Sequence, residues 1–78
     1  MVNLRHALTH ARHGDWAHAH GMVQDDQSLL GAWLHGMAHL AEHDLANAAY
    51  WYARAGRNFA ARGELADELD RFEAELQD

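Results

Sequence analysis

Two triplets of histidine keep one helical phase. His6, His10 and His13 are spaced i, i+4 and i+7, and His35, His39 and His43 are spaced i, i+4 and i+8. Residues four apart lie one above the other on a helix, so each His-x-x-x-His pair can turn two imidazoles toward one metal ion. Zinc, nickel and copper all accept imidazole. A third ligand would come from a neighbouring helix. The central set is His20, His35 and His39, with Glu42 or Asp44 as alternative third ligands and His6 and His10 as further candidates. Neither pair encloses the glutamate of a His-Glu-x-x-His motif, so the metal signal is weaker than that of a zincin.

The same residues allow two other readings. An imidazole oriented by a carboxylate is an acid–base pair, and His20, His35, His39, Glu42 and Asp44 supply the groups for one. No nucleophile accompanies them. Thr9 and Ser28 are the only hydroxyl side chains besides tyrosine, and Ser28 is better explained as a helix cap. Without a nucleophile or a glycine-rich phosphate loop, no catalytic residue is assigned and binding is favoured over catalysis. The plainest reading is that the histidines pack between helices, each satisfied by a local polar group, since buried polar atoms require partners. Asp15, Gln24, Asn47, Tyr50 and Tyr52 are placed to serve.

Helical periodicity runs nearly end to end and is punctuated by caps. Helices are expected at about 3–13, 16–24, 29–43, 45–55 and 64–77, with a looser stretch at 57–63. Gly14-Asp15 ends the first helix, and Asp15, Ser28 and Asp44 stand as N-caps of the next three. Short links at Gly14-Asp15 and His43-Asp44 imply two antiparallel helix hairpins followed by a terminal helix.

Composition agrees. Sixteen alanines and ten leucines face only three β-branched residues, Val2, Thr9 and Val23. This nearly excludes a sheet. With 78 residues the chain is one small helical domain, 1–78, with a thin core and no cysteine to staple it. Six arginines, no lysines and twelve acidic residues give a formal charge of −6, which argues against general nucleic-acid binding. No apolar run reaches the roughly 20 residues of a membrane span. Without cysteine or a signal-like N-terminus, a cytoplasmic location is expected.

The two expected hairpins resemble each other. A shift of 29 residues lays His6 on His35, His10 on His39, Asp15 on Asp44, Ala19 on Ala48 and Leu8 on Met37. Gly36, His39, Asp44, Ala48, Tyr52 and Ala55 have the spacing of tetratricopeptide or Sel1-like repeats, whose usual period is 34. The chain therefore resembles an irregular member of that helical-repeat class. A closer likeness runs from residue 14 to 56. Gly14-Asp15-Trp16, Ala19-His20, Trp33-Leu34-His35, His39, Glu42, Asp44, Asn47-Ala48, Tyr50-Trp51-Tyr52 and Ala55-Gly56 are similar to a family of small, mostly bacterial proteins of uncharacterised activity. That family usually has Arg after the second histidine and Gly before the aspartate, where this chain has Leu40 and His43. His43 makes a left-handed turn there harder.

The resemblance implies an interaction module, in which stacked helices hold a protein or peptide partner. Trp33, Tyr50 and Trp51 are the candidate partner-binding residues, although Trp16 and Trp33 also fit the core. Tyr50-Trp51-Tyr52 spans about 200° of helix surface, so one neighbour cannot bury all three. Tyr52 is the core candidate. In the last helix Leu65, Leu69, Phe72 and Leu76 form one apolar stripe, which either caps the stack or pairs two copies, leaving monomer and homodimer both open. Asp67–Arg71 and Arg71–Glu75 are expected i,i+4 pairs. Glu64, Asp67, Glu68, Asp70, Glu73, Glu75 and Asp78 read as a solvated acidic face. An interaction module is thus the first functional expectation. A metal- or small-ligand-binding protein built on His20, His35 and His39 is the alternative.

Overall fold

The computed structural model describes residues 3–76. Five α-helices, α1 (Leu4–Arg12), α2 (Trp16–Val23), α3 (Leu29–Ala41), α4 (Leu45–Arg54) and α5 (Leu65–Glu75), are joined by short turns and one 3-10 turn at Phe59–Ala61. The described residues contain no strand, and the protein is all-α. Gln77, expected in the last helix, and Asp78, expected on its acidic face, lie outside the described residues.

The caps form where the sequence places them. Asp15 accepts from the His18 backbone N–H at 3.2 Å, Ser28 from that of Gly31 at 3.0 Å, and Asp44 from that of Asn47 at 3.3 Å. Three helices close in one way. The N–H groups of Gly14 and Asp15 return to the carbonyls of Ala11 and His10. Those of His43 and Asp44 return to Leu40 and His39, and those of Gly56 and Arg57 to Ala53 and Tyr52. This double closure is the Schellman motif, which needs a left-handed residue. Gly14 (φ 83°), His43 (φ 62°) and Gly56 (φ 74°) supply it.

Helix α3 lies at the centre and is buried continuously from Gly31 to Ala38. It packs on α2, α4 and α5, while α1 packs on α2 and touches α3 and α5. Close approach to α4 depends on Gly36. A Cβ there would sit 2.7 Å from Tyr52 Cδ1 and 3.3 Å from the Ala48 carbonyl oxygen, inside contact distance. Val23, Leu34, Met37, Tyr52 and Phe72 fill the core around it.

The acidic face of the last helix is not wholly solvated. Glu68 is 3% exposed. Its Oε1 accepts from Tyr52 Oη at 2.6 Å and from Trp33 Nε1 at 3.3 Å, and its Oε2 accepts from the Gly63 N–H at 3.2 Å and from Arg71 at 3.1 Å. Burial works against the charged carboxyl, but these donors outweigh it and hold Glu68 below the usual carboxylate range. Burial, then the Glu68 hydrogen bond, push the Tyr52 phenol up. The ion pairs also differ from the i,i+4 expectation. Arg71 meets Glu68, Glu75 meets Arg57, and Arg12 forks onto Asp70 at 2.9 Å and Glu73 at 2.7 Å, tying α1 to α5. Arg71 takes an i,i+3 partner on its own helix in place of the i,i+4 ones, and tertiary packing supplies the partners of Glu75, Asp70 and Glu73.

Two outcomes check this account by urea denaturation. Glu68→Ala strands two buried donors and costs about 2–4 kcal/mol, with Glu68→Gln losing less because an acceptor remains. His43→Gly relieves the left-handed strain and stabilises by up to about 1 kcal/mol.

Candidate functional site

The imidazole cluster sits where α2 crosses α3. His20 is in the last turn of α2, and His35 and His39 lie on successive turns of α3. One ligand nitrogen from each of the three falls within 4.8 Å of the others. Ring centroids are 4.6 Å apart for His20–His39, 4.7 Å for His20–His35 and 5.0 Å for His35–His39. The sequence-predicted set is therefore brought together. His6 and His10 are not part of it. His6 is exposed and His10 half-buried, because α1 packs through Ala7, Leu8 and Ala11, about 100° or more around the helix from His6. The expectation that His6 faces inward fails for that reason.

The nitrogen contacts are specific. His20 Nε2 lies 3.0 Å from His35 Nε2, and His20 Nδ1 lies 3.0 Å from Glu42 Oε2. With Nδ1 donating to the Glu42 oxygen, the neutral His20 ring presents the lone pair of Nε2 to His35. His39 Nδ1 is 3.8 Å from Glu42 Oε1 and 3.6 Å from Asp44 Oδ2, too far for a hydrogen bond. Nδ1 of His35 and of His39 are buried side-chain atoms without a hydrogen-bond partner. The local groups offered by the sequence do not satisfy them. Asp44 is engaged instead by Asn47 Nδ2 at 2.7 Å, which is the main cause holding its carboxyl below the usual range. Glu42 and Asp44 thus stand behind the imidazoles, whereas ligation by either was one of the starting possibilities.

Trp51 covers the cluster. Its ring stacks on His35 at 4.0 Å between centroids and 17° between planes. This explains why Tyr50-Trp51-Tyr52 carries three aromatics. Tyr52 enters the core, Trp51 lies on the imidazoles, and Tyr50 is 52% exposed. Trp33 is a correction to the expected partner surface. It is 2% exposed, held by Glu68, Phe72 and Arg57, so it belongs to the core. A surface cavity of about 630 Å³ lies between Leu40 and the 60–67 segment and is lined by no imidazole.

Burial first, then the neighbouring His20 and His39, lower the His35 imidazole to about 4. His35 is 4% exposed and stays neutral at pH 7, the state in which imidazole binds a metal. Its folded value is below its ordinary value of 6.5, so the unfolded chain takes up the proton first. This contribution to stability is intact above about pH 6.5 and is lost as pH falls toward about 4, at no more than about 1.4 kcal/mol per pH unit. Urea unfolding between pH 7.5 and 4.5 should show a shallower decline for His35→Gln than for wild type.

The fold and the cluster define an all-α protein with three converging imidazoles backed by a carboxylate. The chain matches no protein-family model, and no curated protein or solved structure matches it. The helical-repeat likeness therefore rests on the residues quoted above.

Proposed function

We propose that this protein binds a divalent transition-metal ion of the zinc, nickel or copper class through His20, His35 and His39. One observation carries the reading: three imidazole nitrogens from two helices converge within 4.8 Å, with Nε2 of His20 and Nε2 of His35 facing each other at 3.0 Å. A hydrogen bond between His20 and His35 joins two rings and leaves the third unserved. A metal ion takes a lone pair from all three.

Distances support the same reading. Ligand bonds of 2.0–2.1 Å in a tetrahedral site put two nitrogens about 3.3 Å apart. The 3.0 Å between His20 and His35 needs only a small adjustment. Glu42 on His20 Nδ1 is the carboxylate–histidine arrangement that fixes the tautomer of a metal ligand and raises its basicity. His20 and His39 keep side-chain exposures of 21% and 13%, so an ion has a path in from solvent. The interaction-module reading has lost Trp33 and keeps Tyr50 and the outer part of Trp51 as surface.

Untagged protein, purified without a nickel column, provides the test by elemental analysis and calorimetric titration. One equivalent of metal with Kd near or below about 1 μM is expected at this site. Glu42→Gln, on an exposed side chain, should weaken it about 10- to 100-fold with little change in stability. His39→Gln should abolish it with helicity retained. Absence of zinc, nickel and copper binding tighter than about 1 μM, with His39→Gln affecting only stability, would show that the cluster is a packing device.

A further inference from the structure

The turn between α1 and α2 gathers a second set of metal-ligating side chains, distinct from the first. His10, Asp15 and His18 each offer a ligand atom within 4.8 Å of the others. His10 Nδ1 is 3.5 Å and His18 Nδ1 is 3.7 Å from one oxygen, Asp15 Oδ2. The two rings stack with centroids 3.9 Å apart and planes at 16°, so both present the same edge to that oxygen.

Neither contact is a hydrogen bond. Both exceed the 2.7–3.2 Å of an N–H···O bond, and both are close to the roughly 3.3 Å that separates two ligands of one tetrahedral ion. The carboxylate divides its work. Oδ1 caps α2 by accepting from the His18 N–H at 3.2 Å, which fixes the side chain, and Oδ2 is left facing the two imidazoles. At the equivalent place in the second hairpin, Asp44 Oδ2 lies 3.6 Å from His39 Nδ1, but Asn47 stands where the first hairpin has His18. Asn47 donates to that oxygen at 2.7 Å and consumes it. With a histidine at the corresponding position, the first turn keeps the oxygen free and adds a second nitrogen.

We infer that His10, Asp15 and His18 form a second, solvent-accessible site for a divalent transition metal of the zinc class, independent of the inner imidazole cluster. Two imidazoles and one carboxylate suit such ions. The outer site binds more weakly than the inner one, since His18 is 56% and Asp15 49% exposed in their side chains and must be ordered by the ion.

Zinc titration calorimetry on the full chain separates the two sites. Wild type should bind two equivalents in two steps. Asp15→Asn keeps the cap, because asparagine caps as well as aspartate, and removes the anionic ligand. His18→Ala removes an exposed ring. Each should weaken the second step at least tenfold and leave the first unchanged, while His39→Gln should do the reverse. A single equivalent lost in Asp15→Asn and kept in His39→Gln would sustain this site and reject the inner one. Two unchanged steps in both Asp15→Asn and His18→Ala, or one wild-type step that only His39→Gln removes, would overturn it.

Discussion

The fold turns on one buried carboxylate. Glu68 joins four segments: Trp33 on α3, Tyr52 on α4, the Gly63 backbone before α5, and Arg71 on α5 itself. A chain of this length buries a thin core and has no disulfide, so a polar hub fixes what apolar area alone leaves loosely defined. The hub is satisfied on both oxygens, which is the condition under which a buried charge is tolerated. It also sets the position of α5, whose Phe72 then packs edge-on against Trp33 at 5.5 Å.

That arrangement gives α3 two working faces. Trp33 and His35 are two residues apart and so lie about 200° around the helix from each other. One face is committed to the carboxylate hub and the other to the imidazoles. Gly36 lies between Trp33's turn and His39's, and its missing Cβ lets Tyr52 approach α3. The same approach brings Trp51, the neighbour of Tyr52 on α4, onto His35. Core packing and the covering of the imidazole cluster therefore follow from one helix–helix contact. No helix among the described residues is long and apolar enough to cross a membrane, and α3, the most apolar by burial, is spent on this internal role.

Much of this was legible in the sequence because it rests on local rules. Asp15, Ser28 and Asp44 cap as their residue types demand, and the i, i+4 spacing of His35 and His39 sets their common direction. His20 was legible as a candidate by its place between the two pairs. What escaped depends on tertiary contacts. Glu68 looked like one more acid of a solvated face, yet with Leu65, Leu69 and Phe72 it completes an i, i+3, i+4, i+7 stripe, and that phase was the available signal of burial. His18 is exposed, and no sequence rule announces that its ring stacks on His10. Trp33 fits a groove or a core equally well until α5 is placed over it.

The recurrence of histidine five residues before aspartate has a backbone cause. In the Schellman closure the residue after the left-handed position donates to the carbonyl five residues earlier, as Asp15 does to His10 and Asp44 does to His39, each at 2.9 Å. The motif thus seats each imidazole beside its carboxylate at nearly equal distance, 3.5 Å in one turn and 3.6 Å in the other. The third closure, Tyr52 to Arg57, has the same backbone and no such side chains. Geometry alone therefore makes no site; residue choice at the two ends does. One further substitution then divides the pair. His18 leaves the first carboxylate open to a ligand, and Asn47 closes the second, where the His39 ring keeps its contacts with His20 and His35.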